Sequence, residues 1–176
     1  MLQIILIIII VVSLISMLLV IFNNKFQLTI IKIDKAEEDI DMYLEKKRKL
    51  LDRSKPIIKK ALKREDFMLD LDKDFGNKDS FLEHNLLKNI YNELFKIIDE
   101  NEKLLKSESL VKILEELNDN EENIVGAIKF YNDTVVEFNQ LVVTFPSLLI
   151  AFFKRYKKKD FYNNEKREIF EILNKK

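Results

Sequence analysis

Twenty-one consecutive residues without a charge, Leu2 to Phe22 (LQIILIIIIVVSLISMLLVIF), constrain this chain more than anything that follows them. As a helix rising ~1.5 Å per residue, the stretch spans about 30 Å, the thickness of a bilayer's hydrocarbon core. A buried core helix seldom runs that far without a strongly polar group. A cleaved signal peptide would carry a basic n-region, a shorter apolar run and a small-x-small site. Nothing basic precedes this run, and Phe22-Asn23-Asn24-Lys25 offers no such site. With no cysteine in the chain, a lipid-modified N-terminus is excluded too. The expectation is an uncleaved single transmembrane span, with residues 1–24 as anchor and residues 25–176 as a helical-bundle domain.

Lysine and arginine near a span mark its cytoplasmic side. Lys25, Lys32 and Lys35 follow the apolar run and none precedes it, so the N-terminus is expected outside and the body in the cytoplasm.

Beyond the anchor the residue types narrow the function classes. Thirty basic residues balance thirty acidic ones, which argues against a nucleic-acid partner. Two glycines and two prolines, among abundant Leu, Ile, Lys, Glu and Asn, point to long helices with few tight turns. The absence of cysteine removes disulfides, thiol nucleophiles and thiolate metal sites, and a lone histidine, His84, nearly removes imidazole triads and zinc centres. No metal and no cofactor is expected.

From Lys25 to about Leu71, apolar residues recur at steps of three and four: Ile33, Ala36, Ile40, Tyr43, Leu44, Leu50, Leu51, Ile57, Ile58, Ala61 and Leu62. They make one helical stripe. Pro56 removes one backbone donor and is expected to bend this helix rather than end it, since the stripe stays in phase beyond it. Residues 69–79 are turn-like. Asp70, Asp72 and Asp74 suggest a calcium loop, but its sixth and twelfth positions would be Phe75 and Phe81, so a solvated connector is expected instead.

Ser80 and Glu83 fit a capping box for a second helix, whose stripe runs from Phe81 to Ile98 with Leu104 and Leu105 near its end. His84 falls beside that stripe as a helix-edge residue. Ser107-Glu108-Ser109 opens a third helix that carries apolar residues from Leu110 to Phe145 and stops before Pro146. Ser147 restarts the helix, and a last amphipathic piece holds Phe161, Phe170, Ile172 and Leu173. The fold class expected is all-α: an N-terminal transmembrane helix followed by an antiparallel up-and-down four-helix bundle.

Tyr131-Asn132-Asp133-Thr134-Val135-Val136-Glu137-Phe138-Asn139, followed by Phe145-Pro146-Ser147-Leu148-Leu149-Ile150-Ala151, resembles the signature of the bacterial LemA family. Glu122-Asn123-Ile124 and Ile40-Asp41-Met42-Tyr43-Leu44 resemble two further family segments. Asp52 stands where the family usually has proline, Glu102-Lys103 where it has Tyr-Pro, and the tryptophan before Ile-Asp is absent. The resemblance implies a single-pass bacterial cell-membrane protein with a cytoplasmic helical bundle and an undefined molecular activity. It carries over no catalytic residue.

Asn132 and Asn139, seven apart, share a helical face beside the apolar stripe. An asparagine in a helix seam fixes register, because a mispaired neighbour leaves its amide unsatisfied. The pair is therefore expected to set register and fold, and two leucines in their place to leave the melting temperature at least equal. Asp41, Asn123, Tyr131, Asn132, Asn139, Phe145 and Pro146 form the expected structural motif. No nucleophile–base pair, glycine-rich phosphate loop or metal cluster is discernible, so the expectation is a non-enzymatic membrane scaffold that meets other proteins or copies of itself. The alternative is a lipid-contacting module. It would use the aromatic and basic residues Phe152, Phe153, Lys154, Arg155, Lys157, Lys158 and Lys159 at an anionic leaflet.

Overall fold

The computed structural model describes residues 1–62 and 80–162. The turn-like stretch 69–79 lies outside them, as do Phe170, Ile172 and Leu173. The fold is all-α. Among the described residues four α-helices follow one another: α1 (Leu2–Leu62), α2 (Ser80–Glu100), α3 (Glu108–Val143) and α4 (Ser147–Lys154). A 3-10 turn, Glu102–Lys106, joins α2 to α3.

The apolar run of residues 2–22 and the helix expected after it are one element. Asn23, Asn24 and Lys25 contain no proline or glycine to interrupt it, and α1 passes through them unbroken. It also continues past Pro56 to Leu62, as the in-phase stripe requires. On α2 the expectation overran by a turn. The Asn101 side-chain amide donates to the Ile97 carbonyl at 2.9 Å and the chain tightens there, so Leu104 is buried from the 3-10 turn and not from the helix. Ser107 caps α3 as anticipated, its hydroxyl accepting from the Leu110 N–H at 3.4 Å.

The chain forms two compact units. The first combines residues 1–36 with the chain from Phe130 onward. Its core is built on Phe26, whose ring meets Phe138 edge-on at 5.8 Å and Tyr156 at 5.0 Å. Ile33, Val135, Leu141, Ile150 and Ala151 are buried with them. The apolar residues of 2–21 are all exposed, unlike the buried stripes along the rest of α1, α2 and α3.

The second unit, Glu37–Lys129, packs three helical segments. Its core takes Ile40, Leu44, Leu51 and Ile58 from α1, Leu87, Ile90, Leu94 and Ile97 from α2, and Leu110, Ile113, Leu117 and Ile124 from α3. On α1 and α3, Arg53 pairs with Glu116 and Lys47 with Glu121. Higher numbers on one meet lower numbers on the other, so these segments are antiparallel. Buried positions on α1 keep a three-four rhythm that includes three polar residues, Thr29, Lys47 and Ser54, where the apolar stripe has gaps.

Candidate functional site

The signature residues of α3 close on the non-helical segment that follows α4. Seven residues advance a helix by nearly two full turns, so Asn132 and Asn139 lie one above the other. Both are buried. The Asn139 side chain accepts from the Lys159 N–H at 2.8 Å and donates to the Lys159 carbonyl at 2.8 Å. The Asn132 carbonyl oxygen accepts from the Tyr162 N–H at 2.8 Å. Beside them the Tyr131 hydroxyl donates to the Asp160 carbonyl at 3.1 Å, and its ring meets that of Tyr162 edge-on at 6.1 Å.

A segment without helix or sheet partners has backbone groups that need satisfying, and an asparagine amide offers the same donor and acceptor as a peptide. Tyr131, Asn132 and Asn139 therefore act as a clamp on residues 159–162. The spacing alone suggested partners across a helix seam, whereas these hydrogen bonds run to a stretch of irregular backbone, which leaves no periodic signal in the sequence. Lys159 also reaches Asp34 at 3.8 Å, and the Tyr156 hydroxyl accepts from Gln27 at 3.0 Å, which fastens the same segment to α1.

Other expected motif residues are dispersed. Asn123 is exposed and donates to the Asp119 carbonyl of its own helix at 2.8 Å. Asp41 is exposed on α1, and partial desolvation raises its carboxyl above the ordinary value. Phe145 and Pro146 form the turn between α3 and α4, where the chain bends by 91°. Phe152, Phe153, Lys154, Arg155, Lys157 and Lys158 are exposed. Lys159 is not grouped with them: its backbone is held by Asn139 and its amine faces Asp34, so it is turned into the first unit.

The second unit holds a polar cluster that the sequence did not single out. Lys47 is 1 % exposed, forms an ion pair with Glu121 and sits 4.8 Å from the centre of the Tyr91 ring. Burial pulls its amine below the ordinary lysine value, and Glu121 opposes that shift. The half-buried His84 imidazole is held below its ordinary value, first by burial and then by the charge of Lys47. Next to this cluster the Asn120 amide donates to the Tyr43 carbonyl at 2.9 Å. The phase of the stripe was the available signal, since Lys47 occupies a core position of the rhythm set by Ile40, Leu44 and Leu51.

Chemically, the first cluster satisfies buried backbone groups and the second pairs a buried lysine, while Asn120 Oδ1 is left without a hydrogen bond among the described residues. Among the described residues no group of three or more histidine or acidic side chains is placed to hold a metal ion.

Fold and clamp together define a helical-domain protein whose first helix begins with a long, uncovered apolar segment. The LemA family model matches residues 36–172, most of the chain and all of the clamp, and the chain belongs to the LemA family. No curated protein matches the sequence.

Proposed function

We propose that this protein is a non-enzymatic, membrane-anchored helical scaffold of a bacterial cell membrane. Residues 2–22 cross the bilayer once, with the N-terminus outside and the helical domain in the cytoplasm. The domain presents its surface to other proteins or to copies of itself. The observation that carries this reading is the first third of α1, apolar on every side and left exposed among the described residues. An uncovered apolar surface of that length is stable only against hydrocarbon or a partner. The unbroken passage of α1 into the domain supports a scaffold, because a continuous helix transmits position from the membrane to the bundle. Lys25 and Lys32, just beyond the apolar run, support the orientation.

The test is purification of the full-length protein from membranes in detergent, with its mass by light scattering and its bound proteins identified by mass spectrometry. A defined homo-oligomer or a stoichiometric protein partner is the expected result. A monomer carrying only lipid would contradict the scaffold.

A further inference from the structure

Helix α4 has two faces. Ser147, Ile150 and Ala151 are buried against the first unit. Opposite them, Leu148, Leu149, Phe152 and Phe153 form a continuous exposed stripe, extended by Phe145 from the preceding turn. Phe152 and Phe153 are 76 % and 79 % exposed, and they stand at the i+4 and i+5 positions from Leu148. A charge-free aromatic and aliphatic stripe of this kind is not a surface that water selects.

Three features identify its occupant. The stripe is contiguous with the anchor, because Ile15, Leu18, Leu19 and Phe22 of α1 line one groove with Phe145, Pro146, Leu149 and Ile150. Ile15 to Phe22 is the last part of the apolar run, about 10 Å along the helix, and in-plane helices sit 5–10 Å into the headgroup boundary. Next, α4 leaves α3 at 91°, while in the first unit α3 runs back alongside α1 from Phe138 opposite Phe26. α4 therefore lies across the anchor's direction. Finally, exposed Lys154, Arg155 and Lys157 follow the aromatic pair directly, as suits an anionic headgroup layer.

The geometry points to α4 as an in-plane interfacial helix. It presses Phe145, Leu148, Leu149, Phe152 and Phe153 into the same bilayer that the anchor crosses. This inference rests on the anchoring of residues 2–22. With it, the protein grips the membrane at two places separated by more than a hundred residues, and the bend at Phe145-Pro146 sits at the membrane surface. The clamped segment 159–162 then follows a membrane-held helix.

The chain contains no tryptophan, so single reporters are unambiguous. Full-length Phe153→Trp, Phe152→Trp, Val12→Trp and Val125→Trp are reconstituted into phosphatidylcholine–phosphatidylglycerol vesicles, with and without brominated acyl chains. Far-ultraviolet circular dichroism verifies that each variant keeps its helicity. The indoles at 152 and 153 are expected to lose emission to bromines placed near the headgroup. The indole at 12 should lose it to deep bromines, and the indole at 125 only to aqueous acrylamide. If 152 and 153 both respond to acrylamide and not to bromine while 12 is quenched, α4 is off the membrane and the anchor stands. Emission at 152 and 153 that is blue-shifted yet blind to both quenchers means that a protein surface, a second copy or another partner, covers the stripe, and the inference fails. An indole at 12 that ignores bromine overturns the anchoring itself.

Discussion

The side-chain amide of Asn139 holds both backbone polar groups of Lys159, with each hydrogen bond at 2.8 Å and the asparagine 2 % exposed. A helix side chain thereby does for an irregular segment what a neighbouring strand does for a β-strand. Removing it leaves a buried donor and acceptor together without a partner, at a cost of about 1–3 kcal/mol for each group that stays buried.

Asn139→Leu is accordingly expected to lower the melting temperature of the full-length protein, at roughly 2–4 °C per kcal/mol for a chain of this size. Amide hydrogen exchange should accelerate at residues 156–162 and remain unchanged in α2. Thermal melts in detergent with exchange mass spectrometry check both. An equal or higher melting temperature would favour the seam account of the asparagine pair.

Lys47 and Glu121 respond unequally to substitution, because the lysine is fully enclosed and the glutamate side chain keeps 24 % of its surface exposed. Glu121→Gln leaves a buried cation without its counter-ion, a change that costs about 3–5 kcal/mol when a buried pair is broken. Lys47→Met fills the same space with an apolar chain and leaves a carboxylate that reaches water, so its loss should be clearly smaller. Denaturant unfolding of the two variants tests the ordering.

His84 gives the domain a pH dependence of definite sign. Its folded value lies below the ordinary 6.5, so between the two values the unfolded chain binds more protons. Stability is full above about 6.5 and falls as pH drops toward the folded value. Comparing melts at several pH values between 7.5 and 5, His84→Gln should lose less stability than the wild-type chain over that range. Parallel curves would show that the imidazole is not the group responsible.

Gly126 lies within α3, and a Cβ added there meets no atom within 4 Å. Alanine is favoured over glycine inside a helix by about 0.5–1 kcal/mol. Gly126→Ala should raise the melting temperature by a few degrees, and a fall would mean that this position packs against a partner in the protein as purified.

Much of this architecture was legible in the residues. The three-four rhythm from Ile33 to Ile58, the Ser107 cap and the stop before Pro146 each follow from local rules that need no tertiary information. The clamp was half legible. Tyr131, Asn132 and Asn139 stood out, but their partners at 159–162 are backbone groups of whatever residues happen to be there, and no side-chain pattern encodes them. Lys47 escaped because a lysine in a stripe is ordinarily a solvated interruption; Glu121, 74 residues away, and the Tyr91 ring make its burial tolerable. The two faces of α4 needed the fold as well, since in sequence Leu148 to Phe153 is one unbroken apolar run, and the packing of Ile150 and Ala151 is what separates covered residues from uncovered ones.

Thiol labelling is the measurement that decides whether residues 2–22 cross a membrane with the domain on the cytoplasmic side, as proposed. The chain has no cysteine, so Gln3→Cys and Val125→Cys each introduce a single thiol. In intact bacterial cells, a membrane-impermeant maleimide should label position 3 and should reach position 125 only after lysis. Labelling of position 125 in intact cells, or release of the protein from membranes by an alkaline wash, would contradict the account.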